Sequence, residues 1–149
     1  MVTRILLIED SETDIELIRE ALTDSGLDHH LDVARDGEEA LRLLKYQTIH
    51  PDLILLDLNM PKLSGIDVLK QLRQDNPPLG ITPVIVLTNS KSRDDVYGAY
   101  ASGANAYVRK PLGFDKILEA IKSIGKFWVT TATIPSKANG QSYGPPKSS

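Results

Sequence analysis

Four apolar runs in the chain each end on a residue suited to ionic or hydroxyl chemistry. Ile5-Leu6-Leu7-Ile8 leads into Glu9-Asp10, Leu53-Ile54-Leu55-Leu56 into Asp57, Val84-Ile85-Val86-Leu87 into Thr88, and the weaker run from Ala106 to Arg109 into Lys110-Pro111. In an open parallel sheet, ligands bind beyond the carboxyl ends of the strands, so these residues are expected to converge on one edge. Three carboxylates gathered there repel, at about 4 kcal/mol for two unit charges ~4 Å apart in an effective dielectric of ~20. A cation must offset that repulsion. Mg2+ suits the set, because it takes one or two carboxylates and completes its shell with waters or phosphate oxygens. Lys110 supplies a further point charge able to meet Asp57 or a phosphate on it, and the Thr88 hydroxyl can donate to a phosphoryl oxygen. The combination suits phosphoryl transfer to a carboxylate nucleophile, with electrostatic stabilisation and in-line placement carrying the catalysis.

The elements that must position these residues are legible in the periodicity. The continuous apolar runs predict strands covered on both faces, and His30 to Ala34 and Ala106 to Arg109 predict two more. Between them, Ile15, Ile18 and Leu22, then Ala40, Leu41 and Leu44, recur at helical spacing. A third helix is expected from Ser64 to Asn76, stopped by Pro77-Pro78. A fourth is apolar only through Val96, Ala99 and Tyr100, which makes it weakly anchored and a candidate moving element. The last carries a stripe of Phe114, Ile117, Leu118, Ile121, Ile124 and Trp128. Ser11-x-x-Asp14 and Ser92-x-x-Asp95 read as helix N-caps, and Gly26 and Gly103 as helix ends. Five βα units in about 126 residues predict an α/β fold with a doubly wound, five-stranded parallel sheet, flavodoxin-like, in the order 2-1-3-4-5.

At 149 residues the chain is expected to hold one domain, residues 1–126, with an extension and flexible polar tail over 127–149. Ser136 to Ser149 is rich in Ser, Gly, Pro and Lys, with little reason to pack and too short for a DNA-binding output module. Seventeen basic against twenty acidic residues give a net charge of −3, a poor footprint for nucleic acid. Absent cysteines exclude disulfides and thiolate metal sites. With no signal-peptide core and no run approaching the ~20 apolar residues of a spanning helix, a cytoplasmic protein without a membrane partner is expected. His29, His30 and His50 lack ligand spacing and read as surface residues.

Taken together, Ile5 to Asp10, Pro51 to Pro61, Gly65, Val86-Leu87-Thr88, Gly103-Ala104 and Lys110-Pro111 resemble, in order and spacing, the response-regulator receiver domains of two-component signalling. The resemblance implies that Asp57 accepts a phosphoryl group from a histidine kinase. It implies Mg2+ held by Asp10, Asp57 and the backbone carbonyl of Asn59, with Glu9 acting through water. It places Thr88 and Lys110 on phosphoryl oxygens, makes Thr88 and Tyr107 a coupled switch, and puts Asn59 and Ser90 where side chains tune dephosphorylation. The bond matching Lys110-Pro111 is commonly cis in the family. Glu9 replaces a frequent Asp, and Asn89 a frequent smaller residue, which bears on the lifetime of the phosphorylated state. Phe127-Trp128-Val129 with Ile134-Pro135 resembles the extension of small response regulators that partner cyanobacterial phytochromes. That implies a phytochrome kinase and a homodimer through the fourth helix, fifth strand, fifth helix and the extension, with Phe127 and Trp128 in the interface.

The expected function is a single-domain response regulator, a signalling protein rather than an enzyme, which assists its own phosphotransfer and dephosphorylation and signals through protein contacts. A Mg2+-dependent phosphatase is the alternative, although an aspartyl nucleophile would then follow the first strand in an Asp-x-Asp pattern, and Asp10 is followed by Ser11-Glu12. A receiver-like adaptor that is never phosphorylated also remains open. Flavin binding on the same architecture is opposed by Glu9-Asp10, which would repel a flavin phosphate.

Overall fold

The computed structural model describes residues 2–46 and 49–136. Five parallel strands, β1 (Thr3–Ile8), β2 (His29–Ala34), β3 (Leu53–Leu56), β4 (Val84–Thr88) and β5 (Ala106–Arg109), form one sheet in the order β2-β1-β3-β4-β5. Five helices alternate with them: α1 (Glu12–Asp24), α2 (Gly37–Lys45), α3 (Gly65–Gln74), α4 (Arg93–Ala101) and α5 (Phe114–Gly125). This is the expected doubly wound, flavodoxin-like fold. Alternation along the central strands divides the core in two. Ile5, Leu7, Leu53, Leu55, Ile85 and Leu87 face α1 and α5, whereas Leu6, Ile8, Ile54, Leu56, Val84 and Val86 face α2, α3 and α4. Both sets are buried, which is why these strands read as unbroken apolar runs.

Local chemistry sets the helix boundaries. Ser11, Asp36, Ser64 and Ser92 each accept, through the side chain, the backbone N–H three residues on. Gly26 and Gly103, just beyond α1 and α4, adopt positive φ of 79° and 108°. α3 stops at Gln74, short of the predicted Asn76, because Asp75 is already extended (ψ 154°) ahead of the proline pair. α4 buries Ala99 alone; Val96 is half-buried and Tyr100 is half exposed, so Tyr100 is not an anchor. Its hydroxyphenyl ring has too little core to reach beyond a helix that lies on the edge of the sheet beside β5.

Two connections went unforeseen in the sequence. The Arg73 guanidinium donates to the carbonyls of Gly103 (2.9 Å), Thr82 (2.8 Å) and Gly80 (3.2 Å) and to Asn105 Oδ1 (2.9 Å), tying together the turns that enter β4 and β5. The other is at the end of the described chain. α5 runs into a π-helical turn, Lys126–Thr131, where the Ala132 N–H donates to the Phe127 carbonyl at 2.6 Å. Ile134 is then buried, and the Ser136 hydroxyl donates to Asp52 Oδ1 at 2.5 Å, while Asp52 Oδ2 accepts the Arg4 N–H. Ser136 therefore packs against the sheet, contrary to its expected place in an unpacked tail, because a buried carboxylate offers it a charged acceptor. The rest of the expected polar tail, residues 137–149, lies outside the described residues. No described helix is long and apolar enough to cross a membrane.

Candidate functional site

The strand ladder continues one residue past the carboxyl ends of the strands and fixes the backbone of the site. Glu9 N–H donates to Ala34 O (2.9 Å), Asp57 N–H to Ile8 O (3.0 Å) and Lys110 N–H to Thr88 O (2.8 Å). Gly65 seats the Asp57 loop against α3: a Cβ there would lie 2.4 Å from the Asp57 carbonyl oxygen and 2.7 Å from Leu58 Cα. No side chain fits in that approach.

The side chains follow. Glu9, Asp10 and Asp57 each place a carboxylate oxygen within 4.8 Å of the others, Glu9 and Asp57 buried and Asp10 exposed. Burial, assisted by the negative charge of Asp57 and opposed by hydrogen bonding to Lys110, pushes the Glu9 carboxyl up to about 7. Lys110 Nζ, buried, donates to Glu9 Oε1 and to Asp14 Oδ2 (2.8 Å). Burial works against its ammonium, but the hydrogen bonds to Asp14 and Glu9, with the charge of Asp57 behind them, hold its pKa above the ordinary lysine value. Glu9 Oε2 accepts the Ser11 N–H at 3.2 Å, so both of its oxygens have protein donors. Thr88 is fully buried, and its hydroxyl makes no hydrogen bond among the described residues. Three clustered carboxylates and an orphaned buried hydroxyl form an oxygen donor set that fits a hard divalent cation and a phosphoryl oxygen.

The remaining candidates are arranged as follows. Asn59 is exposed, and its N–H lies 3.4 Å from Asp57 Oδ1. The Tyr107 hydroxyl donates to the Ser90 carbonyl at 3.0 Å, across the gap between β5 and the loop after β4. The Ser90 hydroxyl is bonded to Asp95 in the first turn of α4 and lies within hydrogen-bonding distance of the Ser92 N–H, so it braces the start of that helix. Asn89 is exposed beside it. Phe127 is 53% exposed, whereas Trp128 is half-buried against the α5 side of the core, their rings meeting edge to face at 5.4 Å. The one cis bond among the described residues is Pro77–Pro78; Lys110–Pro111 is trans, the isomer an X–Pro bond intrinsically favours. His29 and His30 bond only to the Leu27 carbonyl and to Asp32, and no further group of metal-ligating side chains forms among the described residues. Asp14 is the residue that sequence reasoning missed: Ser11-x-x-Asp14 was legible as a cap, and nothing in that spacing points to a lysine 96 positions away.

A parallel five-stranded sheet in the order β2-β1-β3-β4-β5, with an acidic cluster, a threonine and a lysine at the carboxyl ends of β1, β3, β4 and β5, is the arrangement of a receiver class of signalling domain. The chain belongs to the response regulator receiver domain family, whose family model matches residues 5–122. It is 41% identical over 137 residues to the response regulator Rcp1 of Synechocystis sp., covering 89% of this chain and 92% of that protein. It is 35% identical over 123 residues to the polar-differentiation response regulator DivK of Brucella ovis, covering 83% of this chain and 96% of that one. Among solved structures, the phosphorylated cyanobacterial phytochrome response regulator RcpA superposes with a TM-score of 0.85 at 40% identity, over 91% of this chain and all of that one. The Mn2+-bound form of Rcp1 matches with a TM-score of 0.80 at 40% identity, over 89% and 99% of the two chains.

Proposed function

We propose that this chain is a response regulator that takes a phosphoryl group onto Asp57 from a histidine kinase of the phytochrome class and transmits the change through protein contacts. The observation that carries it is the convergence of Glu9, Asp10 and Asp57 within 4.8 Å beside the buried Lys110 ammonium, with a buried Thr88 hydroxyl that has no partner among the described residues. Asp10, Asp57 and the Asn59 carbonyl would hold Mg2+, with Glu9 reaching it through water. A divalent cation there would supply positive charge to offset the acidic cluster and the charge on the transferred group. An Asp57 carboxylate oxygen attacks phosphorus, the bond from phosphorus to the kinase's histidine nitrogen breaks, and an acyl phosphate remains. Lys110 and Thr88 donate to its oxygens. Thr88 and Tyr107 then form the switch, because Tyr107 holds the Ser90 carbonyl in the loop that leads to the weakly anchored α4. Asn59 and Ser90 tune hydrolysis of the acyl phosphate, Ser90 by leaving Asp95.

The likeness to RcpA and Rcp1 supports both the phytochrome kinase and a divalent cation. An exposed Phe127, the exposed Tyr97 and Tyr100 of α4 and the free edge of β5 support a homodimer through α4, β5, α5 and the extension, with Trp128 bracing Phe127 from below. We take the net charge of −3 to favour a protein that contacts neither nucleic acid nor membrane directly, and a cytoplasmic place fits a chain with no helix among the described residues long and apolar enough to span a membrane. The test is transfer from a phosphorylated phytochrome kinase: label should leave the kinase and appear on this chain, and Asp57→Asn should abolish it. Transfer only from kinases without a phytochrome module would remove the phytochrome partner, and label retained by Asp57→Asn would remove the acceptor.

A further inference from the structure

We propose that Asp14 is a positioning residue for Lys110, holding the ammonium so that one of its N–H donors is aimed for a phosphoryl group on Asp57; this rests on the reading of Asp57 as phosphoacceptor. An ammonium has three N–H donors. Among the described residues Lys110 spends two of them, on Glu9 and on Asp14 Oδ2 at 2.8 Å, and none on Asp57. Two acceptors fix the nitrogen in a way that a single one cannot, since a lysine on one carboxylate still pivots about that bond on a four-carbon stem.

Asp14 is itself held. It is the third residue of α1, and its N–H donates to the Ser11 hydroxyl at 3.2 Å, so its backbone is locked into the capped first turn while its carboxylate turns towards Lys110. Ser11 is tied in turn to Glu9 Oε2. The three residues form a short brace in which the cap of α1 and the placement of Lys110 are one structure. Glu9 alone is a poor anchor for the lysine, because it also belongs to the acidic cluster with Asp10 and Asp57. Asp14 lies outside that cluster, with its side chain 26% exposed. A carboxylate there holds the ammonium whether or not a cation draws on Glu9.

A double-mutant cycle tests this, using the rate of Asp57 phosphorylation by acetyl phosphate at saturating Mg2+ in the wild type, Asp14→Ala, Lys110→Ala and the double variant. Loss of one charge-assisted hydrogen bond to a group acting in the transition state should lower the rate about tenfold in Asp14→Ala. The same change should cost less than about twofold in the Lys110→Ala background, since its effect passes through the lysine. The apparent Mg2+ affinity should stay within about twofold of wild type, which a damaged fold would not allow. Asp14→Asn, which keeps the shape and an acceptor oxygen, carries the same cycle should the alanine variant fold poorly, with a loss of about threefold expected. A wild-type rate in Asp14→Ala, or a tenfold loss that persists without Lys110, would overturn the positioning role and leave the acceptor reading intact. A wild-type chain that takes no label at all would overturn both.

Discussion

Replacing Thr88 by valine should make the unphosphorylated protein more stable and the phosphorylation reaction worse. Thr88 shows no exposed surface, and its hydroxyl has no hydrogen-bond partner among the described residues. Removing a hydroxyl from water without a compensating bond costs about 1–3 kcal/mol on the scale of protein mutants. Valine keeps the branched shape and puts a methyl where the hydroxyl was. A methyl there leaves no buried polar atom without a partner at this position. A gain of about 1–2 kcal/mol follows, or roughly 2–6 °C in Tm for a domain of this size. Urea and thermal unfolding followed by circular dichroism, in EDTA so that metal linkage is removed, reads it directly. The hydroxyl's use lies in the other state, where it donates to a charged phosphoryl oxygen, a bond worth about 1.5–3 kcal/mol; phosphorylation by acetyl phosphate should slow by about ten- to a hundredfold. A Thr88→Val protein less stable than wild type would mean the hydroxyl is already satisfied, and the orphaned-donor reasoning would fall.

Two further expectations concern charge and assembly. Because Glu9 titrates at about 7 in the fold against 4.5 unperturbed, the folded state binds more protons between those values, so metal-free stability should fall as pH rises from 4.5 to 7, by at most about 3 kcal/mol. Apparent Mg2+ affinity should rise over the same interval and level off above it, and calorimetry in buffers of different ionisation enthalpy should detect the released proton; Glu9→Gln should flatten both curves. Phe127→Ala, which removes an exposed ring and leaves the core intact, should raise the dimer dissociation constant at least about tenfold by analytical ultracentrifugation, and unchanged sedimentation would reject its interface role.

The fold was open to reading because its strongest signals are local. Buried strands such as Leu53–Leu56 and caps such as Ser11 and Ser92 carry their structure within a few residues. The placement of Glu9, Asp57 and Lys110 on one edge was equally readable, since strand order and a one-residue overhang of β1, β3 and β5 bring them together, with Asp10 next along and Thr88 ending β4. What stayed hidden depends on partners far along the chain. The Lys110–Asp14 pair spans 96 positions and the Ser136–Asp52 bond 84, and no periodicity announces either. Tyr100 misled because helical spacing gives a face but not the amount of core beneath it. The Ser90 hydroxyl is taken by Asp95 in the first turn of α4, a bond that the family resemblance does not show.

The central claim is that Asp57 is the group modified, within a cluster that needs a divalent cation. Mass spectrometry of the chain after incubation with acetyl phosphate, in Mg2+ and in EDTA, tests it most directly. The expected result is a hydroxylamine-labile phosphoryl adduct that peptide mapping places on Asp57, absent in Asp57→Asn and absent in EDTA. An adduct on Asp10, or none under any condition, would contradict it.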